Sequence, residues 1–208
     1  NNENNEYIAT CKYDGEWTMF IKWDGQYLIR SRSLSKVTGS YGDKTAHLPH
    51  LVEEMQKWPD NTVILGEVCW GDFGSVSTDV GTILRCLPAK AVERQKERKL
   101  VVKVFDCLAL NGEIFANTSY INRYATAHNF ISPYILRNNY FTMTMICPLD
   151  KSPAEFADEI ISQGGEGVVI QRKDYIYEPG KRAAWKTLKL KQRLPEMELQ
   201  VVSILEPN

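Results

Sequence analysis

The sequence predicts one α+β domain, residues 1–208, built from mostly antiparallel sheets flanked by helices. Three observations predict it. Short apolar runs rich in β-branched and aromatic residues outnumber the helical patterns. Strand and helix patterns do not alternate regularly, as the βαβ units of a parallel sheet would. No internal repeat or low-complexity linker divides the 208 residues, a length that suits one large domain or two small ones.

The elements follow in order. The opening Asn-Asn-Glu-Asn-Asn-Glu is polar and expected to fray. Residues 17–23 and 27–31 are aromatic and aliphatic, and Asp24-Gly25 between them is a hairpin turn signal. A polar, glycine-containing stretch covers 33–44. Residues 48–58 carry the spacing of a short amphipathic helix, and 62–68 form a buried strand holding Glu67 at its end. A charged helix is expected over 87–99. A second buried strand covers 100–108, with Phe105-Asp106 near its end, and Asn111-Gly112 is a turn. Ser152-Pro153-Ala154-Glu155 is a capping box with proline at the first helical position. It opens a helix to about residue 163, closed by Gly164-Gly165. Strands are expected over 167–172 and 188–191, and a last one over 199–205.

Composition narrows the function classes. No run approaches the roughly 18 apolar residues of a membrane span, and no signal-peptide pattern opens the chain. The formal net charge is −1, so a nucleic-acid surface would have to be local. The five cysteines (Cys11, Cys69, Cys86, Cys107, Cys147) are odd in number and widely spaced in apolar surroundings. That pattern fits reduced thiols in a cytoplasmic protein rather than a disulfide framework or zinc site. His47, His50 and His128 form no ligand cluster with them.

Five segments carry candidate chemistry. Lys12-Tyr13-Asp14-Gly15 places a lysine beside an aspartate and a turn glycine. A lysine with a pKa of about 10.4 is neutral in only roughly one molecule in 10³ at pH 7. A nucleophilic role therefore needs cationic neighbours, a metal or burial to lower that value. Glu67 and Glu166 stand beside apolar runs, as does Asp106, and two such carboxylates near a phosphate are good Mg²⁺ ligands. Phe105 offers a flat face for a base. Residues 181–193 hold Lys181, Arg182, Lys186, Lys189, Lys191 and Arg193 without an acid. In Leu188-Lys189-Leu190-Lys191 the alternation puts both lysines on one face of a strand, suited to a phosphate and to depressing the pKa of a third lysine. Taken singly, each has a plainer explanation: a hairpin turn, a strand-end carboxylate, a core phenylalanine, a solvated basic face.

Taken together and in order, Lys12-Tyr13-Asp14-Gly15, Gly66-Glu67, Phe105-Asp106, Glu166-Gly167-Val168-Val169 and Leu188-Lys189-Leu190-Lys191 resemble the successive motifs of the covalent nucleotidyltransferases. That superfamily comprises ATP-dependent DNA ligases, RNA ligases, NAD-dependent ligases and mRNA-capping guanylyltransferases. Ser31-Arg32-Ser33 resembles its arginine segment. The resemblance spans about residues 8–205 and implies an ATP-grasp-like nucleotidyltransferase fold. It implies that Lys12 attacks the α-phosphate of ATP to give lysyl-AMP, with Lys189 and Lys191 holding that phosphate. It further implies nucleotide contacts from Thr10, Cys11, Arg32, Glu67, Phe105, Glu166 and Arg182, and Mg²⁺ held by Glu67, Glu166 and Asp14. An alternative register of the last motif would align Trp185 and make Thr187 and Lys189 its paired positions.

Glu166-Gly167 resembles ligases rather than guanylyltransferases. The absence of the Arg-Gly-Glu segment of NAD ligases points to ATP. Val80-Gly81-Thr82-Ile83-Leu84 and Asp14-Gly15-Glu16-Trp17 are similar to small viral and bacterial DNA ligases. The resemblance thus implies an ATP-dependent DNA ligase adenylation domain acting on nicked duplex DNA as a monomer in the cytoplasm of a bacterium or viral host. An RNA ligase is the alternative, and an inactive nucleotide- or DNA-binding scaffold the alternative of another class. DNA ligases carry arginine where Trp17 stands, and Lys22 is the neighbouring basic residue that would replace it. Residues 94–103 and 181–193 are the expected DNA-contacting stretches. The family's OB-fold domain has no counterpart within the 208 residues, so it is expected elsewhere in a longer protein.

Overall fold

The computed structural model describes residues 6–34, 39–71, 73, 75–135, 140–180 and 186–191. Among the described residues ten strands form two sheets. β1 (Tyr7–Lys12), β9 (Gly167–Arg172) and β10 (Thr187–Lys191) make a three-stranded antiparallel sheet with β9 in the middle. The larger sheet has the order β4 (Tyr41–Asp43), β3 (Gln26–Leu34), β2 (Glu16–Trp23), β5 (Thr62–Cys69), β6 (Val101–Leu110), β7 (Glu113–Ile114). β8 (Phe141–Met143) joins β6 in parallel, the one departure from antiparallel pairing among the described strands.

The hairpin of β2 and β3 turns at Asp24 and Gly25, both at positive φ (47° and 70°), as a two-residue primed turn demands. One face of the large sheet carries Phe20, Ile29, Ile64, Val102 and Val104 into the main core. That core is closed by α1 (Pro49–Gln56), α2 (Ser77–Leu84), α3 (Pro88–Arg94) and α4 (Tyr120–Ile135) through Leu51, Met55, Val80, Ile83, Leu84, Ala91, Ala127 and Ile131. The small sheet buries Cys11 and Val168 against Phe156, Ala157 and Ile160 of α5 (Pro153–Ser162). α5 opens with the predicted capping box: Ser152 Oγ accepts from Glu155 N at 3.2 Å, and Glu155 Oε2 accepts from Ser152 N at 2.8 Å.

The chain itself joins the two sheets. It leaves β8 and runs along the free edge of β1, where Cys11 N donates to Met145 O and Cys147 N donates to Ala9 O. α4 ties them again. Tyr120 and Tyr124 pack on Ile8 of β1, while Arg123, with 0% exposure, donates to Asp106 of β6 at 2.8 and 3.1 Å. Arg123 also donates to Thr118 O and Tyr175 O.

Several expectations need correction. The charged helix over 87–99 ends at Arg94, because 95–99 turn back to start β6. Neither α2 nor α4 was expected, and the polar stretch 33–44 contains β4. Glu67 lies inside β5, which continues through Val68 to Cys69, and Asp106 lies mid-strand in β6. The expected strand over 199–205 lies outside the described residues, as do Lys181, Arg182, Trp185 and Arg193.

Candidate active site

Strand alternation and the ladder registers decide which side chains meet. In the small sheet Lys12, Gly167 and Lys191 form one row, and Thr10, Val169 and Lys189 the next. Residues paired across antiparallel strands point the same way, so Thr10, Lys12, Lys189 and Lys191 share the face turned away from α5. Gly167 sits at φ 130°, and a Cβ there would stand 2.0 Å from Leu190 O. Only glycine lets β10 pair this close beside Lys12.

In the large sheet Trp17, Glu67 and Lys103 form a row on the face opposite the main core. Phe105 projects on that side, half-buried and outside every core cluster, while its carbonyl accepts from Tyr120 Oη at 3.1 Å. The two faces enclose a cleft. Across it Lys12 Nζ donates to Glu166 Oε2. Glu67 lies within electrostatic reach of Lys12, Glu166, Lys189 and Asp14. Burial pushes its carboxyl up to about 7, against the opposing pull of the lysines. Lys189 is shifted down, first by burial and then by the like charge of Lys12, with Arg32 adding to the effect.

The turn after Lys12 is held from three sides. Tyr13 is buried, stacks on Phe73 with centroids 6.2 Å apart, and lies under Lys103 Nζ at 5.1 Å. Ser75 Oγ donates to Asp14 O at 2.8 Å and accepts from Trp70 N. Sequence reasoning missed Tyr13, Ser75 and Lys103 as parts of this framework. The only signal was that Tyr13 lies between two singled-out residues.

The structure thus brings together Thr10, Lys12, Asp14, Glu67, Glu166, Lys189 and Lys191, with Arg32 and Phe105 from the facing sheet. It keeps three others apart. The Cys11 side chain points into the α5 core, where burial pushes its thiol up to about 11, so a side-chain contact to nucleotide is excluded by alternation. Asp106 is taken out of any metal set by its buried pairing with Arg123. Lys22 stands at the far end of β2 from Trp17, donating to Gln56 O and Trp58 O at the close of α1, and cannot replace an arginine at position 17. Residues 94–103 do not form one basic surface either: Arg94 donates to Thr82 O, Arg98 to Trp70 O, and Lys103 to Thr142 Oγ1 within the cleft. No group of three or more His, Cys, Asp or Glu among the described residues is placed to hold a metal, so Glu67, Glu166 and Asp14 do not make a preformed three-carboxylate site.

Known proteins resemble this chain in both sequence and fold. A DNA ligase of Thermococcus fumicolans is 27% identical over 201 residues, covering 95% of this chain and 34% of that protein. A DNA ligase of Methanococcus aeolicus is 30% identical over 178 residues, 82% of this chain and 30% of its own length. The chain therefore spans about a third of the curated relatives it matches. Among solved structures, mycobacterial DNA ligase D complexed with ATP and MES superposes with a TM-score of 0.62 at 22% identity, over 90% of this chain and 55% of that one. The ATP-dependent DNA ligase of bacteriophage T7 in complex with ATP gives 0.60 at 18% identity, over 91% and 63%. Residues 1–191 match the family profile described as the ATP dependent DNA ligase domain, and the chain belongs to that family.

Proposed function

We propose that this chain carries out the nucleotide-activating step of an ATP-dependent DNA ligase, with Lys12 as the nucleophile. The observation that carries the reading is the cleft in which Lys12 contacts Glu166 while Lys189 and Glu67 lie within electrostatic reach. ATP fits the donor set. Lys189 and Lys191 flank the position for the α-phosphate, Phe105 supplies a half-exposed face for adenine, and Thr10 and Arg32 bound the remaining space. Lys12 Nζ forms a bond to the α-phosphorus, the α–β bridging P–O bond breaks, and pyrophosphate leaves. The proton that Lys12 must lose has an acceptor in Glu166, to which Nζ already donates.

Mg²⁺ fits as well. It takes one or two carboxylates together with phosphate oxygens rather than a dedicated protein cage, and Glu67, Glu166 or Asp14 would hold it on this side of the cleft. When bound, it neutralises charge on the departing pyrophosphate. In the steps that follow, the 5′-phosphate at a DNA nick displaces Lys12 from the α-phosphorus, and the 3′-hydroxyl then displaces AMP. Nicked duplex DNA is the substrate in this reading, the chain acts as a monomer beside an OB-fold domain of the same protein, and Arg182 contributes from the segment before β10. A ligase must act at any sequence, so contacts to phosphates and duplex shape carry binding. The relatives are named DNA ligases, which favours DNA over RNA. No helix among the described residues is long and apolar enough to cross a membrane. The test is incubation with α-labelled ATP and Mg²⁺. An acid-labile label should appear on the wild-type protein and be absent from Lys12→Ala; equal labelling of both proteins rejects the assignment.

A further inference from the structure

Phe105 sits at an irregularity in the large sheet. In the β5–β6 ladder Gly66 pairs with Val104 and Leu65 pairs with Asp106, so Phe105 is an extra residue with no counterpart on β5. Such a bulge breaks the regular backbone pairing, bends the strand and re-aims the side chain it carries. The Phe105 carbonyl is held from outside the sheet: Tyr120 Oη, on the first residue of α4, donates to it at 3.1 Å. Burial, and then the charge of Asp106, hold the Tyr120 hydroxyl well above its ordinary pKa, so the donated proton stays on the oxygen.

Tyr120 is itself clamped. It is buried, the Tyr124 ring lies 6.1 Å away, and the Arg123 guanidinium lies over its ring with Cζ 5.6 Å from the centroid. Arg123 is fixed in turn by Asp106, the residue after Phe105. Ile8 of β1 belongs to the same buried cluster as Tyr120 and Tyr124. Alternation puts Ile8 on the same face of β1 as Thr10 and Lys12. One side chain therefore reaches both walls of the cleft. Its ring packs against the strand that carries Lys12, and its hydroxyl holds the bulge that carries Phe105. Loss of the hydroxyl alone would leave the ring packing in place and release the bulge.

We propose that Tyr120 is a positioning residue for base binding, whose hydroxyl fixes the bulge so that the Phe105 ring stands at a set distance from the Lys12 strand. Tyr120 acts in this way only if the cleft binds ATP with Phe105 at the purine, the reading given above. The experiment is calorimetric titration of the full-length protein with ATP, in EDTA so that no adenylyl group is transferred. It compares wild type, Tyr120→Phe, Phe105→Ala and the double variant. Inorganic tripolyphosphate is the second ligand, with the charge of the ATP tail and no base. Tyr120→Phe should weaken ATP binding about fivefold, the effect of one lost neutral hydrogen bond, and leave tripolyphosphate binding unchanged. In the Phe105→Ala background the same substitution should leave ATP binding unchanged, because no ring remains to be placed. Thermal melting checks that each variant folds, and Phe105→Leu serves as the ringless background should Phe105→Ala not fold. Unchanged ATP affinity in folded Tyr120→Phe overturns the proposal. An equal loss in both backgrounds, or a parallel loss of tripolyphosphate, also overturns it, by making Tyr120 a general support of the fold. Full ATP affinity in Phe105→Ala removes the purine role of Phe105 and the proposal with it. A protein that shows the expected binding pattern but takes no label on Lys12 rejects the role of Lys12 and upholds that of Tyr120.

Discussion

Glu67 shows how one side chain's position sets its chemistry. On a strand end it would be an ordinary solvated carboxylate. Inside β5, facing a cleft, its carboxyl is pushed up to about 7 by burial. The folded protein then holds a proton that the unfolded chain releases near pH 4.5, so this group's contribution is fully favourable below about pH 4.5 and is lost as pH rises to about 7. Glu67→Gln should accordingly be more stable than wild type at pH 8, by on the order of 2 kcal/mol after allowance for partial exposure. The difference should vanish by pH 4.5, which urea denaturation at the two pH values would measure. The same substitution should lower ATP labelling, as expected where a site is held at some cost to stability. Lys12, Glu67 and Glu166 were legible in the sequence because unusual residue types stand beside apolar runs. The meeting of Arg85 with Arg32 and Lys44 was not legible, since three cations so far apart in the chain share a cavity only through the fold.

At the scale of elements, local chemistry that closes within a few residues was readable. The Asp24-Gly25 turn, the Ser152–Glu155 capping box and β9 all lie where propensity and capping place them. α4 escaped because its pattern is poor. Its sequence mixes Asn, Thr, His and tyrosines, and it holds Pro133 and a fully buried arginine. It is held by tertiary contacts: Ala127 and Ile131 in the main core, Tyr120 and Tyr124 on Ile8, and the buried Arg123–Asp106 pair. Arg123→Ala leaves Asp106 buried and unpaired, and should cost roughly 3–5 kcal/mol in denaturant unfolding. Gly167 makes a comparable demand on β9 and β10. Gly167→Ala puts a Cβ 2.0 Å from Leu190 O at a φ of 130°, so the strands must separate. The expected cost is about 3 kcal/mol or more. Because that separation displaces Lys189 and Lys191, ATP labelling should fall more than tenfold even in protein that remains folded at the assay temperature.

For the molecule as a whole, the cleft is the product of two sheets with separate cores, bridged by α4 and by the chain that runs from β8 to the edge of β1. A nucleotide spanning both faces should stabilise the whole assembly. ATP at 100 times its Kd contributes about 2.7 kcal/mol by mass action, an increase of roughly 5–10 °C in Tm for a chain of this size. Scanning fluorimetry with and without ATP would measure it, and no shift would argue against nucleotide binding in the cleft. The sequence by itself determined the α+β class and the order of the motifs, and it singled out Lys12 as the residue proposed as nucleophile, because each depends on short-range patterning and on which residue types stand next to one another. Only the tertiary structure decided that Cys11 faces away from Lys12, that Asp106 belongs to Arg123, that Lys22 serves α1, and that Arg32, Lys44 and Arg85 share one cavity. Those outcomes depend on strand register and on contacts between residues far apart in the chain, where a shift of one position reverses the face on which every side chain lies.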